Sequence, residues 1–139
     1  MKILTMIILL LISLACKVQA AENVKVEVLV KTSTSWNGSP LPAYEKGKPE
    51  ITIQRITIPP KVQLPLHKHP VINAGVLLKG KLTVVTKTGE VLHLKAGDPI
   101  IEIVNQWHYG KNEGREPAEI IVFYAGAVGE PITIEKTSQ

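Results

Sequence analysis

Three histidines carry most of the chemistry that this chain could perform. His67 and His69 stand one residue apart in "HKHPVIN", and His108 follows in "NQWHYGKN" after a separate apolar run. Neutral imidazole is the commonest side-chain ligand for transition metals. Side chains at i and i+2 of a strand share a face, so the first two point the same way. Two neighbouring histidines plus a distant third make a workable donor set for one divalent ion. Asn73 has the same parity, and an extended backbone through Pro70 would aim it alongside them. The opposing reading is a solvent-facing pair with no ligand role. His93, in "EVLHLK" without a ligand-type companion, fits that reading.

One carboxylate also stands out. Glu102 lies in "PIIEIVNQWH", an acid inside an apolar run just before His108. Carboxylates are rarely buried without a partner. Glu102 therefore either faces solvent at a rim, or faces a cavity as a metal neighbour or a general base with a raised pKa. Trp107 and Tyr109 flank His108 and point away from it if the segment is extended, which favours packing over substrate stacking. Arg55 in "ITIQRITI" reads as an exposed charge on an outer strand face, with contact to an anionic ligand as the other reading. No glycine-rich phosphate loop, GxSxG elbow or cysteine nucleophile is present. A Ser-His-Asp triad would need Asp98, the only aspartate, which sits in a Gly97-Asp98-Pro99 turn.

These residues need a β framework to position them. Val24 to Val30 alternates valines with Lys25, Glu27 and Leu29, a strand period with one apolar face. Further strand-like runs are Ile51–Ile58, Ala74–Leu78, Leu82–Thr86, Val91–Leu94, Ile100–Val104 and Ala118–Ala125. Pro59-Pro60, Lys79-Gly80, Thr88-Gly89, Ala96-Gly97 and Asn112-Glu113-Gly114 punctuate them. No segment shows sustained helical spacing with caps. The chain is thus expected to be all-β, a sandwich or barrel. The long stretch from Thr32 to Pro49 is expected to be an arm packed on the barrel mouth or on a second subunit, or else disordered.

At 139 residues and 45% hydrophobic, the chain has room for one domain with a proper core. Its start is not part of that core. A short positive n-region, an apolar run from Ile3 to Ala15 and small residues at Val18-Gln19-Ala20 read as a secretory signal peptide. The run is shorter than the roughly 20 residues that a membrane span needs. Cleavage near Ala20 would send the protein to the periplasm or outside the cell. It would also remove Lys2 and Lys17 from a formal net charge of +4, and Cys16, the only cysteine. Leu14-Ala15-Cys16 faintly resembles a lipobox, but Ser13 stands where leucine is usual, so plain secretion is preferred to a lipid anchor. The residual charge is small and no basic–aromatic clusters occur, so nucleic acid is not an expected partner. The expected division is 1–20 leader, 21–49 N-terminal strand and arm, 50–126 barrel core, and 127–139 C-terminal extension.

The histidine spacing resembles the two motifs of the cupin superfamily, G-x5-HxH-x3,4-E-x6-G and G-x5-PxG-x2-H-x3-N. His67-x-His69, Asn73 and Gly80 follow the first; Gly97 and then His108-x3-Asn112 follow the second. Asn73 stands in place of the usual glutamate, Lys61 in place of the leading glycine, and Ile103-Val104-Asn105 in place of PxG. The resemblance runs from about Ile51 to Tyr124 and is to a small single-domain cupin of the conserved-barrel type. It implies a double-stranded β-helix, a jelly-roll barrel with a ligand cavity. It also implies that His67, His69 and His108 are the ligand positions for a divalent transition metal (Fe, Mn, Ni or Zn). Asn73, with only a neutral carbonyl oxygen to offer, is then a weak ligand or a group that orients a water. Loss of the carboxylate leaves more charge on the ion and raises its Lewis acidity.

Two functions follow. One is metal-dependent catalysis on a small organic molecule, with dioxygenase-type chemistry the leading subtype. The other is non-catalytic binding or sensing of a small molecule, with structural metal or none. A homodimer is compatible with either.

Overall fold

The computed structural model describes residues 23–137, so the leader, its cleavage site and Cys16 lie outside the described residues. Strands β1 (Pro49–Ile58), β2 (His67–Lys68), β3 (Ile72–Lys79), β4 (Lys81–Thr86), β5 (Val91–Lys95), β6 (Pro99–Ile101), β7 (His108–Lys111), β8 (Ala118–Ala127) and β9 (Ile134–Glu135) follow in order. They form two sheets, β1-β8-β3-β6 and β5-β4-β7-β2-β9. All strand pairings are antiparallel.

Alternation builds the interior. On β8, Ile120, Val122 and Tyr124 are buried while Phe123 between them is exposed. Ile58 of β1, Leu77 of β3, Leu82 and Val84 of β4, Leu94 of β5 and Ile100 of β6 complete one continuous core. Each such side chain contributes about 1.5–3 kcal/mol by leaving water. Gly75 marks where β3 and β8 approach closely: a Cβ there would lie 2.7 Å from the Ile121 carbonyl oxygen.

Several expectations change. Val24–Val30 forms no strand, and Val24, Val26 and Val28 are 90%, 83% and 73% exposed. Alternation gives a segment one apolar face, but a strand also needs a neighbour for its backbone groups. Nothing among the described residues pairs with this one. The run Ile100–Val104 stops being a strand at Ile101, because Glu102 and Ile103 are both buried and break the alternation. β2, β7 and β9 have two to four residues, too short for a period to register. The arm is ordered: the Trp36 N–H donates to the Ile101 carbonyl at 2.9 Å, and the buried Ser35 hydroxyl donates to the Glu102 carbonyl at 2.8 Å.

Pro70 separates β2 from β3, and these strands belong to opposite sheets. His67 and Asn73 are therefore not on one continuous strand. Both still turn toward the interior, because the inner faces of two packed sheets face each other.

Lys61 and Asn105 have φ of 66° and 58° and are the only non-glycine residues with positive φ among the described residues. These are two of the places where the chain departs from the motif glycines. The backbone has kept the left-handed turn while the residue changed, at a cost of roughly 1–2 kcal/mol per ordinary L-residue. Asparagine tolerates that conformation better than most. Lys61→Gly and Asn105→Gly should accordingly be tolerated or stabilising by up to about 1 kcal/mol in urea denaturation. Asn105→Val should cost about 1–2 kcal/mol.

Candidate metal centre

The three histidines converge from separate places in the chain. His67 on β2 stands directly across from His108 on β7, since the two are register partners. His69 lies just past β2 and bridges Val104. The ring centroids are 4.5 Å apart for His67–His108, 5.0 Å for His67–His69 and 5.1 Å for His69–His108. One nitrogen from each ring lies within 4.8 Å of the others, a group that could hold a metal ion.

Backbone carbonyls decide which nitrogens those are. His67 Nδ1 meets the Pro65 carbonyl at 2.7 Å, His69 Nδ1 the Ile132 carbonyl at 2.8 Å, and His108 Nδ1 the Gln106 carbonyl at 2.9 Å. A carbonyl only accepts, so each Nδ1 carries the proton and each Nε2 keeps a lone pair. Histidines that bind metal are fixed in the same way. Burial, the largest cause in each case, lowers all three pKa values, with His69 falling to about 4. The rings are neutral at ordinary pH and ready to donate.

Glu102 faces the same cavity. Its Oε2 lies 3.4 Å from His108 Nε2, and neither buried atom has a hydrogen-bond partner. Burial pushes the carboxyl up to about 7, with the nearby His67 opposing. With His108 held neutral, this is no ordinary ion pair. Two unpartnered donor atoms facing each other in a buried cavity fit a cation between or beside them. Three neutral nitrogens and one carboxylate suit a divalent transition ion.

Asn73 sits beside Glu102, whose N–H donates to the Asn73 carbonyl at 3.2 Å. It is 1% exposed; its Nδ2 donates to the Val71 carbonyl at 3.1 Å, and its Oδ1 has no partner. Asn73 is not among the residues lining the cavity of about 310 Å³ that holds the histidines and Glu102. Asn112 fastens loops instead: its Nδ2 donates to the Ile58 and Glu116 carbonyls, and its Oδ1 accepts from Gly114 N–H.

The remaining candidates lie elsewhere. His93 is exposed on β5 and bonds Thr83 at 3.1 Å. Arg55 is on the outer face in a 2.9 Å ion pair with Glu119. Trp107 and Tyr109 do not line the cavity, and Lys68 sits 5.2 Å from the Trp107 ring.

Sequence reasoning singled out none of Gln54, Tyr124, Thr133 and Glu135, all of which line the cavity. Tyr124 packs 5.4 Å from the His69 ring. Burial first and the Glu102 charge second push its phenol up to about 12, with Thr133 opposing, so it stays protonated. Strand parity with Ile120 and Val122 would have placed Tyr124 inside. No local signal marks the other three.

Comparison with known proteins agrees with this architecture. The cupin-domain family matches residues 54–124, about half of the chain. No curated protein matches the sequence. Among solved structures, an uncharacterized conserved protein with a double-stranded β-helix domain from Klebsiella pneumoniae has a TM-score of 0.55. It is 22% identical, over 82% of this chain and 93% of that one. An oxalate oxidase in complex with the substrate analogue glycolate has a TM-score of 0.52 at 20% identity, over 61% of this chain and 45% of its own. A DMSP lyase from Ruegeria pomeroyi gives 0.55 at 16%, over 62% and 43%. This chain spans less than half the length of either enzyme, and at these identities the likeness shows the fold alone. The family match and the two-sheet barrel lead to one conclusion: the chain belongs to the cupin family and folds as a double-stranded β-helix.

Proposed function

We propose that this protein is a secreted, metal-dependent enzyme acting on a small organic molecule in its barrel cavity. His67, His69 and His108 hold one divalent transition ion (Fe, Mn, Ni or Zn) through Nε2, with Glu102 as the neighbouring carboxylate. One observation carries the reading: three backbone carbonyls accept from three Nδ1–H groups and leave three Nε2 lone pairs aimed into one cavity. The leader pattern in residues 1–20 supports export.

A bound ion would supply open coordination positions for substrate and for dioxygen or water. The protein's own groups handle the rest. Glu102, buried 3.4 Å from His108 Nε2, is placed to take or return a proton at the reacting end. Tyr124 stays protonated and offers a phenol donor within the same cavity. Ile56, Leu82, Val84, Ile120 and Val122 give the cavity an apolar wall beside the histidines. The small-molecule enzymes among the structural neighbours lend support to catalysis. Asn73 would act through its neighbour Glu102, as a positioning residue.

Self-association is part of the proposal. Ile51, Ile53 and Phe123 are exposed side by side on the outer face of β1 and β8, and β1 is a ten-residue open edge. A second copy of the chain can cover that edge with its unpaired Val24–Val30 segment.

Elemental analysis of protein purified without chelator or affinity nickel should find near-stoichiometric metal. The His67→Ala/His69→Ala variant should hold none. Metal-free parent after attempted reconstitution would move the assignment to a non-catalytic binding module.

Glu102 gives a test with a definite sign. Its folded pKa of about 7 lies above the ordinary 4.5. Its contribution to stability is fully present below pH 4.5 and lost as pH rises through about 7. Metal-free Glu102→Gln should therefore melt above the parent at pH 8, and the gain should shrink toward pH 5. With metal the order reverses, and the variant should bind the ion roughly tenfold or more weakly by calorimetry. For self-association, light scattering should show a dimer that Val26→Lys/Val28→Lys dissociates.

A further inference from the structure

We infer that the cavity takes a largely apolar molecule whose one polar end is its metal-binding group, and discriminates against ligands that carry a further, remote negative charge. The inference rests on the metal reading above and adds the class of ligand to it.

The charges on the cavity wall carry it. Among the described residues lining the cavity there is no lysine or arginine, and the carboxylates present are Glu102 and Glu135. The nearby cations are directed elsewhere. Lys68 lies by the Trp107 ring at 5.2 Å, Arg55 is paired with Glu119 on the outer face, and Lys111 is paired with Glu113 at 2.8 Å. Lys136 lines an adjoining surface groove, which shares Pro65 and Glu135 with the cavity, and is not on the cavity wall itself. Glu135 is the register partner of His67, so an acid stands one strand over from a proposed ligand.

Apolar side chains make up much of the remaining wall: Ile56, Leu64, Leu82, Val84, Ile120 and Val122. A ligand can place one donor group on the ion, but everything beyond that group meets this surface. An anionic group there would meet no cation to replace the water it gives up, which disfavours its binding. Gln54, Thr133 and the Tyr124 phenol can still hydrogen-bond a hydroxyl or carbonyl. Size sets the other limit. A cavity of about 150 Å³ holds benzene, so about 310 Å³ suits a substituted ring or a short branched chain.

A matched pair of probes tests this: benzohydroxamic acid and its 4-carboxy derivative, which share one metal-binding group and differ by a remote carboxylate. Each is titrated into the cobalt(II)-loaded protein and followed by the visible absorption of the ion. Binding of the unsubstituted probe should be at least about tenfold tighter, a difference of about 1.4 kcal/mol. Gln54→Arg, which adds a cation to the wall, should narrow that gap by tightening the carboxylated probe. Equal or tighter binding of the carboxylated probe to the parent would overturn the inference, as would bound cobalt that neither probe perturbs. A protein that never takes up cobalt would overturn the metal reading and this one with it. Bound cobalt with the wrong preference would overturn the ligand class alone.

Discussion

The candidate site depends on three hydrogen bonds from imidazole Nδ1 to backbone carbonyls. The acceptors Pro65, Gln106 and Ile132 lie just before β2, β7 and β9. A side-chain acceptor could rotate away, but a carbonyl at the entrance to a strand is fixed by the ladder that follows it. The sheet β5-β4-β7-β2-β9 thus does more than support the histidines. It determines which nitrogen of each is free, and so decides whether the cavity presents lone pairs or protons. Burial acts in the same direction by holding all three rings neutral.

The acid in this cavity is also unusual in origin. Asn73 occupies the position where the cupin motif carries glutamate, while Glu102 reaches the cavity from the end of β6. The two are backbone neighbours across paired strands. The carboxylate beside the histidines thus comes from Glu102, next to β6, and not from the Asn73 position on β3. Lys61 and Asn105 follow a similar logic in the backbone, where the turn persists after the glycine has gone.

Much of this was legible in the sequence because it is local. Strand-like apolar runs between turn signals located β1, β3, β4, β5 and β8, and the spacing of His67, His69 and His108 raised the prospect of a joint site. What escaped was what depends on partners. Val24–Val30 has a strand's pattern and no neighbour among the described residues. β2, β7 and β9 are strands only because they lie between others. Whether Glu102 faced solvent or the cavity could not be read from "PIIEIVNQWH", since the answer turns on a break in alternation at Ile103. Thr133 and Glu135 had no marker, because they reach the cavity only through the return of the chain at β9.

That return has a consequence for the completeness of the site. His69 is oriented by the carbonyl of Ile132, contributed by a segment synthesised after the rest of the barrel. Without residues near Ile132 in place, the Nδ1 of His69 lacks its carbonyl acceptor. A chain clipped ahead of that segment would keep His67 and His108 oriented by the Pro65 and Gln106 carbonyls but not His69, and would present an incomplete set of lone pairs. The final strand thus ties the readiness of the three-histidine group to the docking of the C-terminal segment.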